Sequence, residues 1–333
     1  MTRSTRKVRQ AVVLAAALAF LAAGLAHAGQ DNTITKSFKV EPGGKLVLDT
    51  DIGSVEVRGA PAGAVDITVE REVRNGHDEK VLDDFKLNFE QRGNDVYVTG
   101  EYDKHGLSRL FDNIWNKLRV RFVITVPSAY NADLRTSGGS VTVMDLKGEV
   151  VSKTSGGSLH FNKITGNVRG NTSGGNIEAG FVDGDVDVRT SGGDIRIEET
   201  KGSVLARTSG GGIRINKAWG DVDADTSGGS ITAEEVMGAL RADTSGGSVT
   251  ATLSSQPKSR CSLSTSGGSI TVTLAADIAM DVNAHASGGH VSTDFPVTIQ
   301  GEIDRSSLQA KINGGGPELY LRTSGGGIHI KKR

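Results

Sequence analysis

From Thr136 onward the chain alternates apolar and polar residues in short bursts, each closed by glycine. Two residues past each Gly-Gly pair stands an apolar column, Val141, Leu159, Ile177, Ile195, Ile213, Ile231 and Val249. Two further on comes a second, Val143, Phe161, Ala179, Ile197, Ile215, Ala233 and Ala251, with Thr142, His160, Glu178, Arg196, Arg214, Thr232 and Thr250 in between. This alternation predicts a strand with one face inward. A second strand follows the glycine of each unit's other corner. Its inward column reads Val150, Val168, Val186, Val204, Val222, Leu240 and Cys261, then two residues later Ser152, Gly170, Val188, Ala206, Ala224, Ala242 and Leu263.

A repeat aligns these columns. Thr-Ser-Gly-Gly starts at Thr136, Thr154, Thr172, Thr190, Thr208, Thr226 and Thr244, six consecutive spacings of 18 residues. It returns at Thr265, as Ala-Ser-Gly-Gly at Ala286, as Ile-Asn-Gly-Gly at Ile312, and at Thr323. The predicted fold is all-β: a single-chain β-solenoid (β-helix or β-roll) with about 18 residues and two short strands per coil, stacked in parallel at about 4.8 Å. The Gly pair is expected to form a corner through positive φ and close approach of the next coil. Opposite charges fall on neighbouring rungs, Glu178 by Arg196, Arg169 by Asp187, Asp223 by Arg241 and Arg207 by Asp225, which supports that register. A left-handed hexapeptide helix would need an apolar residue every six positions, which the flanks of the Val150 column lack. A calcium-binding nonapeptide roll would need Gly-Gly-x-Gly-x-Asp, which is absent.

Residues 29–135 read as a strand-rich N-terminal region, and 136–333 as the solenoid, continuous with 45–135. Thr50-Asp51-Ile52-Gly53-Ser54-Val55 is a worn copy of the repeat, so the solenoid is expected to begin there and to resume at Thr136 after an excursion of 86 residues. Within it Leu107, Leu110, Phe111, Ile114, Trp115 and Leu118 recur at helical spacing, predicting one short amphipathic helix. Its apolar face either seals an open end of the solenoid or meets a partner. The partner-contact candidates are Leu107, Leu110, Phe111, Ile114 and Trp115.

The first 28 residues read as a signal peptide. Arg3, Arg6, Lys7 and Arg9 precede the apolar run Ala11 to Ala26, and Ala26-His27-Ala28 suits signal peptidase. The run is too short for a spanning helix, so no stable membrane span is expected after cleavage. Export to the periplasm, cell surface or medium follows. Without that segment 34 basic residues face 39 acidic ones, a net charge of −5, which removes the electrostatic motive for binding nucleic acid. Cys261 is the only cysteine, so no internal disulfide forms, and it falls on a core column as a small buried hydrophobe.

Together the leading segment, the strand-rich lead-in ending in Val126-Pro127, and the serial Thr-Ser-Gly-Gly-[Ser/Asp]-[Val/Ile] units resemble the bacterial putative-adhesin family of β-strand-repeat proteins, a domain of unknown function. The likeness covers about residues 34–330. It implies surface contact and supplies no catalytic residues.

The residues themselves point to no catalytic, cofactor or metal site. His285 and His290 flank one corner with Asp294 nearby, but no third ligand stands at a recognised spacing. Asp183, Asp185 and Asp187 alternate on a strand without a ligand loop. Serine beside Gly-Gly recurs in nearly every coil, which marks a structural device. Trp219 is expected to pack on Met237 of the next coil, and Thr232, Thr250 and Thr271 form a flat hydroxyl face. The expected function is that of a non-catalytic exported envelope protein whose regular face adheres to another envelope component, glycan or protein. The alternative is a glycan-cleaving enzyme on a β-helix scaffold, which would need a cleft with paired carboxylates and aromatic platforms.

Overall fold

The computed structural model describes residues 32–74, 79–102, 117–299 and 304–333. Within them the chain is all-β with essentially no helix, and its strands form one 14-stranded and one 15-stranded sheet that face each other across a shared core.

In the middle of both sheets each residue pairs in parallel with its counterpart 18 positions on, Val141 with Leu159, Leu159 with Ile177, and Val150 with Val168. All the predicted inward columns are buried. A third inward column also exists, Leu146, Ile164, Val182, Thr200, Ala218 and Val236. Period-two reasoning misses it because two outward residues, such as Gly180 and Phe181, separate it from the second column. At that bulge Asp145 and Lys163 adopt φ of 58° and 54°.

The repeat motif has a physical role at each position. Thr154 is buried, its hydroxyl donating to Gly139 O at 2.9 Å and accepting from Gly157 N–H at 3.3 Å. Thr172, Thr190, Thr208, Thr226 and Thr244 repeat this bridge between coils. The residue after the Gly pair caps the next coil: Asn176 Oδ1 accepts from Asp194 N–H, and Asp194 Oδ1 from Gly212 N–H.

The Gly-Gly corner differs from the expectation. Neither glycine of the mid-solenoid pairs has a φ in the left-handed region. Close approach alone demands glycine, at the second position of every pair and, from Gly228 onward, at the first as well, where a Cβ would lie 2.9 Å from Gly210 O. A Cβ on Gly193 would lie 2.1 Å from Gly175 O, whereas one on Gly192 would lie 3.6 Å from Gly174 O, an ordinary contact.

Both ends depart from serial stacking. The worn copy does form a coil: Lys45–Thr50 pairs with Asn131–Thr136, and Ser54–Ala60 with Val141–Lys147, setting Thr50 beside Thr136 and Val55 beside Val141. Its other side is covered by Asp95–Tyr102 and Leu118–Pro127, outside which Phe85–Arg92, Ala64–Val73 and Thr33–Lys39 run antiparallel. At the far end the last coil, Glu318–Thr323 and Ile328–Lys332, is inserted between Cys261–Thr265/Ile270–Leu274 and Met280–Ala286/Val291–Thr293. Thr323 therefore stacks between Thr265 and Ala286, out of chain order. The Ile312 motif starts at the last residue of Ser307–Ile312, an antiparallel strand beside Met280–Ala286, and its glycines follow in a turn.

Candidate functional site

The partner-contact candidates Leu107, Leu110, Phe111, Ile114 and Trp115 lie outside the described residues. Leu118, the last apolar position of their helical pattern, is described and corrects it: Leu118 is buried, opens the strand Leu118–Pro127 and pairs with Val73. No helix among the described residues is long and apolar enough to cross a membrane.

Cys261 is fully buried, and burial pushes its thiol pKa up while Leu240 N–H donates to Sγ at 3.4 Å. Asp185 accepts Ser203 N–H at 2.8 Å and Asp187 faces Arg189 at 3.2 Å, so both carboxylates are used within the stack. The ion pairs on the outer faces are partly diagonal: Arg207 meets Asp223 at 3.5 Å, and Arg169 meets Glu149 at 3.3 Å, in preference to their registered neighbours Asp225 and Asp187. Asp223 and Arg241 do meet, at 3.9 Å.

Trp219 turns to lysines: Lys201 Nζ stands 4.1 Å and Lys217 Nζ 5.0 Å from the ring centroid, and the indole N–H donates to Glu199 at 3.1 Å. Met237 instead accepts the Ser255 hydroxyl. Hydrogen bonds from Lys201 and Trp219 hold the Glu199 carboxyl below the usual carboxylate range.

Two arrangements escape the sequence reading. His329, carried by the inserted coil, brings Nδ1 to 2.7 Å from Ser292 Oγ and Nε2 to 3.4 Å from Asp294. Asp294 is thus engaged by His329, while His285 meets Ser287 at 3.3 Å, and no cluster of three metal-ligating side chains occurs among the described residues. The other is a groove of about 550 Å³ on the first sheet, lined by His160, Glu178, Phe181, Arg196 and Glu198 among others. It runs past Gly180, in an outward column between Asn162 and Glu198, where the missing side chain lets the Asn162 carboxamide fold over the backbone and accept from Phe181 N–H. A glycine in that column and arginines on adjacent rungs, Arg196 and Arg214, were its signs in the sequence.

A strand-stacked body of this kind can be compared with known proteins. The family model Toastrack DUF4097 matches residues 44–302. The chain belongs to the Toastrack DUF4097 family. No curated protein matches it. Toastrack DUF4097 membership rests on that sequence match, since the solved structures it resembles are distant. A putative adhesin from Bacteroides fragilis NCTC 9343 is 14% identical, with 90% of this chain and 97% of that one covered and a TM-score of 0.38. A putative lipid binding protein from Parabacteroides distasonis ATCC 8503 is 13% identical, with 92% and 98% covered and a TM-score of 0.32. A putative cell adhesion protein from Clostridium sporogenes ATCC 15579 is 13% identical, with 90% and 100% covered and a TM-score of 0.22. At these scores the three structures say nothing about what this Toastrack DUF4097 protein binds.

Proposed function

We propose that this is an exported, non-catalytic envelope protein that uses the outer faces of its sheets to adhere to another envelope component, a glycan or a protein. Residues 1–28 act as its signal peptide, 29–135 build its first end, and 136–333 extend the stack. One observation carries the reading: the outward columns form long, regular faces of hydroxyls and mutually compensated charges, as in Thr232, Thr250 and Thr271 side by side. Such faces offer extended contact and few singular reactive groups. Leu107, Leu110, Phe111, Ile114 and Trp115 seal an open sheet end, so Trp115→Ala should lower the melting temperature; unchanged stability with lost envelope retention would make them a docking face instead.

The groove favours a second reading, a glycan-cleaving enzyme, because Glu178, Glu198 and Glu199 share it with Phe181. A general acid needs a raised pKa, and Glu199 is shifted the opposite way. The mature chain mixed with washed envelope fractions should sediment with one of them and release no reducing sugar. Failure to sediment would overturn the adhesion reading. Sugar release abolished by Glu178→Gln or Glu198→Gln would establish the enzyme.

A further inference from the structure

The groove beside Gly180 does not end at its own walls. A second hollow of about 250 Å³, with Arg214, Gly212 and Thr232 in its lining, shares Arg196 with it. His160, Glu178, Arg196, Arg214 and Thr232 are register neighbours on successive coils. At about 4.8 Å per rung the two hollows together follow the stacking direction for about 19 Å. Arg196 stands at their junction, and its charge is not compensated as its neighbours' charges are. Glu178 below is engaged by His160 at 3.2 Å, and Arg214 above by Glu234 at 2.7 Å. No carboxylate among the described residues comes within 4.0 Å of the Arg196 guanidinium. At the groove's rim Phe181 is 37% exposed, one of two large apolar side chains so exposed among the described residues.

We infer that this double groove binds a neutral oligosaccharide chain lying along the stacking direction, with Arg196 as its central hydrogen-bond donor and Phe181 as its stacking platform. The inference rests on the adhesion reading and specifies its ligand as a glycan. The chemistry of the lining selects the class. Glu178 and Glu198 accept hydrogen bonds, Arg196 donates, and Asn162 does both, which suits hydroxyls that are donors and acceptors at once. An aromatic edge beside them suits the apolar face of a sugar ring. The carboxylates of Glu178, Asp194 and Glu198 line the two hollows beside Arg196, which disfavours a polyanion. The charged side chains of Glu178, Arg196 and Glu198 along its walls do not suit a lipid chain.

The mature chain would be titrated with cellopentaose, maltopentaose, mannopentaose and chitopentaose, and with pentagalacturonate as the charged comparator, following ligand signals by saturation-transfer NMR and affinity by calorimetry. At least one neutral pentasaccharide should bind better than pentagalacturonate. Arg196→Ala and Phe181→Ala should each weaken that binding tenfold or more. Arg189→Ala, on the other sheet, should leave it unchanged, and all three exposed-site variants should keep the wild-type melting temperature. Absence of binding by every neutral pentasaccharide, preference for the charged one, or affinity that survives both groove substitutions would overturn the inference. If the chain still sediments with an envelope fraction while the groove variants make no difference, the groove fails and the adhesion reading stands. If wild-type protein neither sediments nor binds sugar, both fail.

Discussion

In the middle of the solenoid a strand's neighbours are the strands 18 residues before and after it, whereas at the two ends they come from distant parts of the chain. Thr50 lies between Gly100 and Thr136, and Thr323 between Thr265 and Ala286. The two regions solve different problems. A middle coil has a like coil on each side, so one 18-residue motif serves every copy, and local stacking suffices. An end coil has an open row of backbone donors and acceptors to cover. Here each end lays down an outer coil or antiparallel strands in one excursion and then stacks a coil against the inner side. The terminal Thr33–Lys39 and Val297–Ile299 strands lie antiparallel at sheet edges.

The comparison is broken most easily in the middle, where one motif carries the load. Gly193→Ala places a methyl 2.1 Å from the Gly175 carbonyl oxygen, so two backbones must part. The expected loss is about 3 kcal/mol or more, or failure to fold. Gly192→Ala meets its nearest atom at 3.6 Å and should change stability by less than about 1 kcal/mol. Chemical denaturation of the pair tests this; equal losses would mean that the corner is set by conformation and not by approach. Thr208→Val is the next step down. It keeps the shape but strips the hydroxyl that bridges Gly193 O and Gly211 N–H, for an expected loss of about 1–3 kcal/mol. The same change at Thr232, on the outer face, should cost almost nothing.

The smallest effect belongs to the N-terminal end and depends on pH. Tyr130 is buried there with its hydroxyl donating to Asn94 O, and burial, then the nearby Asp95 carboxylate, raises its pKa from 10.0 to about 12. The folded chain therefore holds this proton where the unfolded chain has lost it. The stability it contributes is fully present below about pH 10 and is lost as the pH climbs toward about 12. Melting temperatures should fall across that window, and Tyr130→Phe should flatten the fall. A fall of the same slope in the variant would place the alkaline weakness elsewhere.

Much of the middle was legible in the sequence because its signals are periodic. The columns at Val141, Val143 and Val150, the worn copy at Thr50, and the core place of Cys261 all follow from alternation and register. What was not legible depends on events outside the period. The bulge at Gly180 and Phe181 breaks alternation and hides the Leu146 column. Of the two reasons expected for the corner glycines, the close approach to the previous coil holds and the positive φ does not. The C-terminal order was hidden because Thr-Ser-Gly-Gly is equally at home between any two coils, so the motif at Thr323 says nothing about which gap it enters. For the same reason the meeting of Ser292, His329 and Asp294 had no sequence signal. The groove had only weak ones, a glycine in an outward column and two arginines, Arg196 and Arg214, on adjacent rungs.

Backbone hydrogen exchange, read by mass spectrometry on the full mature chain, tests the contrast between middle and ends most directly. Although Glu318–Thr323 and Ile328–Lys332 close the chain, they are placed inside the stack. Their amides should be protected as strongly as those of Val222–Thr226 in the middle, while the edge strand Val291–Thr293 exchanges much faster. Rapid exchange of Glu318–Lys332, like that of a fraying terminus, with slow exchange of Val291–Thr293, would show that the coils stack in chain order and would contradict the account.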